Sequence, residues 1–239
     1  MTTAILLAAG VGSRLRPLTD DRPKCLVSLG AETILGRQLR LLAAAGVREV
    51  VVSTGWAAEA LRAALAEGPL PWRAVHNPDF DRTQNIVSFA RALAITDGAV
   101  VKLDADVVFG SALLPRLFAA GGAAAVAVDE RQPVRDEAMK VRARGAFADA
   151  FGKGLAASDA FGESIGIEWF STASRPVLDR VMAGAVAAGR SDAYYEDLYG
   201  DVVAGGIAMR LVPVGDLPWT EVDDVDDLRR AKALAPSLG

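Results

Sequence analysis

Apolar runs and amphipathic stretches alternate along the first half of the chain. Residues 3–8 and 49–53 read as strands, and residues 34–45 between them read as a helix. That helix carries Leu35, Leu39 and Leu42 on one stripe, with Arg37 and Arg40 off it, as a helix lying on a sheet requires. The alternation continues with helices over 57–66, 85–94 and 113–120 and strands over 72–75, 99–103 and 123–128. Runs such as AILLAA, VVVS and AVVKL show little polar alternation, so their strands need cover on both faces. The pattern therefore predicts an α/β fold in three layers around a mostly parallel sheet.

The rhythm breaks near residue 130. Between 131 and 163 the short strand-like pieces MKVRA and AFADAF flank Gly145 and Gly154, which predicts a small β-rich insertion on the substrate side. SIGIEWFS then returns as a core strand. Helices follow over 176–188 and 194–203, a strand over 208–214 and a closing helix over 224–233, with Asp223 or Asp224 as its N-cap. Residues 1–239 are read as a single domain, with about 130–163 as the insertion.

Composition narrows the function classes. The chain has 239 residues, 51% of them apolar, enough for a sizeable core. A net charge of −4 with no basic block argues against a nucleic-acid surface. Cys25 is the single cysteine and His76 the single histidine, so an internal disulfide, a Cys/His zinc site and a histidine-based triad are all disfavoured. The start MTTAILLAAG lacks a basic segment and no apolar stretch reaches ~18 residues. The expectation is a cytoplasmic protein without a membrane partner, acting on small molecules.

The loop after the first strand is the usual ligand cradle of a parallel sheet. Here it reads AAGVGSRLRPLTDDRPKCLV. Gly10 and Gly12 can present bare amides to phosphate oxygens, while Arg14 and Lys24 would add full charges suited to a triphosphate. Taken alone, the glycines also fit an ordinary turn. The spacing excludes two other loops: a dinucleotide fingerprint would need glycine where Leu15 stands, and there is no Walker A run.

The full string resembles the signature L-A-A-G-x-G-x-R-[LM]-x-P-L-T, spacer, P-K-x-L of the nucleotidyltransferases that join a nucleoside triphosphate to a phosphorylated sugar or alcohol. Every motif position from Leu7 to Leu26 is kept. The resemblance implies a Rossmann-like three-layer nucleotidyltransferase fold with an acceptor-side insertion. It further implies a loop of Leu7, Ala8, Ala9, Gly10, Gly12 and Ser13 around the triphosphate, Arg14 on the phosphates and Lys24 neutralising the transition state. The segment NPDFDRTQNIVSFARAL is similar to the N-x-x-[YF]-x-x-x-N-N-x-x-S segment of cytidylyltransferases acting on phosphocholine and small phosphonates, with Gln84 in place of the first Asn of the pair. Gln84, Asn85 and Ser88 are thereby implied at the nucleotide.

KLDADVVF places Asp104 and Asp106 at the carboxyl edge of the sheet, on one face if the strand continues. They could instead cap the next helix. The resemblance implies that Asp106 coordinates magnesium, with Asp104 beside the nucleotide or acceptor. WTEVDDVDDL likewise offers Glu221 and Asp223 as partners in the Mg2+ shell, a hard-oxygen set of the kind this ion prefers.

For the acceptor, Lys140, Lys153 and Glu163 fall in or at the end of the insertion, where the lysines either grip a phosphate or are merely solvated. Tyr195, Glu196 and Asp197 of YYEDLY combine aromatic and acidic groups suited to a cationic head group. The alternative is a helix packing Tyr195 and Leu198 inward. The combined expectation is an Mg2+-dependent enzyme transferring CMP from CTP to a small phosphate or phosphonate. A sugar-1-phosphate uridylyl- or guanylyltransferase and a non-catalytic nucleotide-binding regulator are the alternatives.

Overall fold

The computed structural model describes residues 2–131 and 133–239. Its frame is a nine-stranded sheet. The first four strands, β1 (Thr2–Ala8), β2 (Glu49–Thr54), β3 (Trp72–His76) and β4 (Ala99–Asp104), run parallel in the order β3-β2-β1-β4. After β5 (Val107–Phe109) come β6 (Ala124–Asp129), β7 (Lys140–Arg144), β8 (Phe147–Gly152), β9 (Gly162–Phe170), β10 (Met209–Pro213) and β11 (Trp219–Glu221). The main sheet continues β9-β6-β10-β8-β7 beyond β4. SIGIEWFS thus forms the strand predicted for it, but it lies antiparallel between β4 and β6.

Among the described residues, the helices α1 (Ile34–Ala44), α2 (Ala58–Ala66), α3 (Asn85–Leu93), α4 (Leu113–Ala119), α5 (Arg175–Ala187) and α6 (Tyr199–Ala204) cover the sheet, and α7 (Val225–Leu234) packs in a smaller cluster with Leu15, Val108 and Val222. Thr33 caps α1 by accepting from the Gly36 amide at 3.0 Å. One apolar layer packs α1, α2 and α4 against the sheet, and the other packs α3, α5 and α6 against its opposite face. This is the predicted three-layer αβα arrangement. The 131–163 excursion forms the hairpin β7–β8, which extends the main sheet through β10 and also meets β9 at Lys140↔Glu163.

Two departures from the sequence reading matter for the site. The helix expected over 194–203 is a 3-10 turn, Tyr195–Leu198, followed by α6. Asn85 Oδ1 accepts from the Tyr195 amide at 3.0 Å, and the Asp197 carboxylate accepts from the Tyr194 amide at 3.2 Å, holding the tighter turn. The second departure is a small antiparallel sheet, β5–β11, at the carboxyl end of the main sheet. Its three-residue strands pair Val107 with Glu221 and Phe109 with Trp219.

Candidate active site

The glycine loop leaves β1 at Ala8 and turns at Gly12, whose φ of +64° disfavours any side chain. A Cβ there would also lie 3.0 Å from Lys24 Cβ. Thr19 Oγ1 donates to the Gly12 carbonyl at 2.8 Å, and Trp56 Nε1 donates to the Thr19 carbonyl at 3.0 Å. The Trp56 amide also donates to the Ala9 carbonyl at 3.0 Å, so a residue without a sequence-level role pins both ends of the loop.

The small sheet assembles the acids. Gln38, buried in α1, donates to the carbonyls of Asp104 (2.9 Å) and Val107 (2.8 Å) and fixes the turn between β4 and β5. The chain therefore leaves strand geometry between Asp104 and Asp106, yet both line the same pocket. The Val222 amide donates to the Asp106 carbonyl at 3.0 Å, continuing the β5–β11 pairing and bringing Glu221 and Asp223 to Asp106. Trp219 Nε1 donates to Asp129 Oδ2 at 2.8 Å, anchoring β11 to the end of β6. Asp224, not Asp223, caps α7: its carboxylate accepts from the Asp226 and Asp227 amides. Asp223 is thereby left to the site.

At the centre, the Lys24 ammonium lies 2.6 Å from Asp106 Oδ2 and 2.8 Å from Asp223 Oδ1. Arg14 pairs with the other Asp223 oxygen at 2.8 Å. Burial opposes the charge on Lys24, but Asp106 and Asp223 outweigh it and raise its pKa. Burial acts against the charge of Asp223 as well, and Lys24 and Arg14 hold its carboxyl below the ordinary range. Glu221 is pushed up to about 8 by burial and by repulsion from Asp106 and Asp223. Oxygens from Asp106, Glu221 and Asp223 lie within 4.8 Å of one another, and Asp106 Oδ1 is buried with no hydrogen-bond partner among the described residues. Three carboxylates with one such orphaned oxygen form a hard donor set that fits a magnesium ion.

Two of the pockets that open at this centre share a wall. The first, of about 320 Å³, is walled by Leu7, Ala8, Ala9, Gly10, Gly12 and Lys24 on the loop side. Gln84, Asn85 and Ser88 of the α3 end and Asp104, Asp106 and Glu221 complete the sequence-predicted part of the wall. Asn77 and Phe80, the first two fixed positions of the cytidylyltransferase segment, also line it, together with Thr83. Asn77 Nδ2 donates to Thr83 Oγ1 (3.1 Å) and Ser88 Oγ (3.2 Å), holding the loop before α3 in place. Ser13 lies exposed on the 3-10 turn after Gly12 and is not part of this wall. Cys25 closes the floor, where burial pushes its thiol up to about 12.

The second pocket, of about 490 Å³, takes Arg14, Asp223, Lys153, Glu163 and Glu196 from the predicted set and adds Arg135, Tyr194 and Trp219. Burial raises the Glu196 carboxyl well above its ordinary value, with Glu168 adding to the effect. Lys153 lies over the Tyr194 ring, 4.3 Å from its centroid. Asn85, Asp104 and Glu221 belong to both pockets and form the wall between them.

Three expectations for the acceptor side are corrected by the geometry. Lys140 is buried and does not reach the pocket: its ammonium donates to the carbonyls of Asp136 and Lys153, each at 2.7 Å. Tyr195 packs inward against Phe89 and Tyr199, and Tyr194 presents the aromatic ring to the pocket instead. Asp197 is exposed and spends its carboxylate on the Tyr194 amide. His76 stands exposed at the end of β3, outside both pockets, its Nδ1 3.2 Å from Thr54 Oγ1.

The chain resembles known proteins in sequence and in fold. The chain is 37% identical over 95% of its length to the CMP-5'-(3-aminopropyl)phosphonate synthase of Streptomyces rubellomurinus, of which it covers 38%. It is 32% identical over 97% of its length to the bifunctional IPC transferase and DIPP synthase of Rubrobacter xylanophilus, of which it covers 51%. The chain thus spans about half or less of these relatives. Its fold matches the solved CTP:phosphocholine cytidylyltransferase of Streptococcus pneumoniae with a TM-score of 0.79 and 18% identity, covering 98% of this chain and 99% of that one. The family model for the MobA-like NTP transferase domain matches residues 4–193, taking in the glycine loop, Lys24, Asn85 and both aspartates of the β4 edge. The chain belongs to the MobA-like NTP transferase family.

Proposed function

We propose that this chain transfers CMP from CTP to a small phosphate or phosphonate and releases pyrophosphate. Phosphocholine, 2-aminoethylphosphonate, 2-hydroxyethylphosphonate and polyol phosphates are the candidate acceptors. The observation carrying the reading is the shared wall of Asn85, Asp104 and Glu221 between a glycine-loop pocket and a second, charged pocket. One wall touching both substrates is what a direct transfer needs. The names of the CMP-5'-(3-aminopropyl)phosphonate synthase and of the CTP:phosphocholine cytidylyltransferase support a cytidine nucleotide and a phosphonate or phosphate acceptor.

In this reading the first pocket holds the nucleotide, with loop amides on the triphosphate and Gln84 at the base. An acceptor oxygen, already anionic at neutral pH, attacks the α-phosphorus in line. The new P–O bond forms as the bond to the β-phosphate oxygen breaks, and pyrophosphate leaves without a covalent enzyme intermediate. Asp106, Glu221 and Asp223 would hold a magnesium ion, which when bound supplies charge neutralisation on the phosphates. Lys24 sits at the seam and offsets charge on the transferring group, and Arg14, at the mouth of the second pocket, draws in the anions. Catalysis then consists of alignment and electrostatic preorganisation.

A pyrophosphate-release screen tests the reading. CTP, magnesium and the acceptors above should give product, and Asp106→Asn should abolish it. Release with UTP or GTP and a hexose 1-phosphate, and none with CTP, would contradict the choice of nucleotide.

A further inference from the structure

A lysine lies wholly inside the core beneath the wall between the two pockets. Lys102 stands in the middle of β4, directly across from Glu168 of β9, and both side chains are fully buried. Its ammonium is 3.1 Å from Asp104 Oδ1 and 3.2 Å from Glu168 Oε2, donates to the Gly166 carbonyl at 3.2 Å, and contacts the Tyr195 hydroxyl. Tyr195 in turn donates to Asp104 Oδ2 at 2.7 Å. Both oxygens of Asp104 are therefore held from beneath. Gly166, at φ +73°, makes room for this: a Cβ there would sit 2.4 Å from Asp104 Oδ2.

Asp104 lines both pockets. A bare carboxylate in that position would repel an anionic acceptor on one side, whereas on the other Lys24, in the wall of the first pocket, offsets it toward a triphosphate. Asp106 and Asp223 face cations of the glycine loop, Lys24 and Arg14, whereas Asp104 takes its counter-charge from the core. Burying an ammonium in a strand otherwise made of AVVLD is costly unless its partners are in place; here Glu168 supplies one partner from β9 and Asp104 the other from the wall between the pockets.

We propose that Lys102 is a positioning residue for the transfer: its buried ammonium holds Asp104 in the wall between the pockets and cancels its charge toward the acceptor. This rests on the reading of the two pockets given above. Lys102 touches neither substrate and acts through Asp104.

The test is steady-state kinetics of Lys102→Met with CTP, magnesium and 2-aminoethylphosphonate, or whichever acceptor of the panel turns over fastest. The acceptor KM should rise tenfold or more while the CTP KM stays within about twofold. Adding Asp104→Asn to Lys102→Met should restore much of the acceptor KM, because the uncompensated charge is then gone. A purely structural lysine would lower the active fraction and leave both KM values and the double variant unimproved. If Lys102→Met does not fold, Lys102→Met/Glu168→Gln removes both members of the buried pair and leaves Asp104 unpaired. The same KM split and the same relief by Asp104→Asn are expected. An unchanged acceptor KM in a folded variant, or no relief by Asp104→Asn, overturns the proposal. Absence of wild-type turnover with every acceptor and nucleotide instead overturns the functional reading, and this proposal with it.

Discussion

Replacing Lys24 by methionine should move metal affinity and turnover in opposite directions. In the free protein its ammonium stands between Asp106 and Asp223, at 2.6 and 2.8 Å, where it competes with a cation for the same oxygens. A unit charge at ~4 Å in an effective dielectric of ~20 is worth ~4 kcal/mol. The carboxylates are 20% and 27% exposed, so solvent screening brings the useful part down to about 1–2 kcal/mol. The variant should then bind magnesium or manganese roughly 5- to 30-fold tighter in the absence of nucleotide. Its kcat should fall by about 10²–10³, because a preorganised charge at the transferring phosphate is gone. Titration calorimetry of the free protein gives the first number and pyrophosphate release at saturating CTP the second. Weaker or unchanged metal binding with turnover retained would refute the assignment of Lys24 to this seam.

Other consequences follow from the same geometry. Glu221, raised to about 8, binds its proton more tightly folded than unfolded, so it lowers stability as pH rises from the ordinary carboxyl range toward 8. The thermal shift produced by magnesium should accordingly grow between pH 6.5 and 8.5, and Glu221→Gln should flatten that trend in scanning fluorimetry. Lys140→Met removes the donor that ties the carbonyls of exposed Asp136 and half-buried Lys153 together, at about 0.5–1.5 kcal/mol for each lost hydrogen bond; a lowered Tm and a raised acceptor KM with an unchanged CTP KM are expected. Cys25 is buried with its thiol pushed up to about 12, so Ellman's reagent at pH 8 should find no thiol in the native protein and one after unfolding. Labelling of the native protein at the unfolded rate would contradict that burial.

Much of the fold is legible because its strands are long and apolar and its helices strongly striped. α1 and α3 begin and end within a residue or so of their predicted bounds. The glycine loop is equally readable, since Gly10, Gly12 and Lys24 are close in sequence as well as in space. The acid seam is harder. Asp106 meets Glu221 and Asp223 through β5 and β11, whose three-residue strands are too short to show any period and are more than a hundred residues apart. Acids spaced two apart hinted at the partners, but not at the sheet that joins them. The 3-10 turn at Tyr195–Leu198 rotates Tyr194 into the pocket and Tyr195 out of it, a swap set by Asn85, which no local pattern records. Lys102 leaves a trace in the sequence: a lysine inside the run AVVKL is a charge where an apolar strand pattern calls for none.

The most direct test of the account is 31P NMR of the protein incubated with CTP, magnesium and a phosphonate acceptor. Attack at the α-phosphorus predicts loss of the CTP resonances, appearance of pyrophosphate and a coupled pair of signals from a new phosphonate–CMP anhydride. CDP together with orthophosphate or a phosphorylated acceptor would mean attack at the γ-phosphorus, and would contradict the assignment of the two pockets and the wall they share.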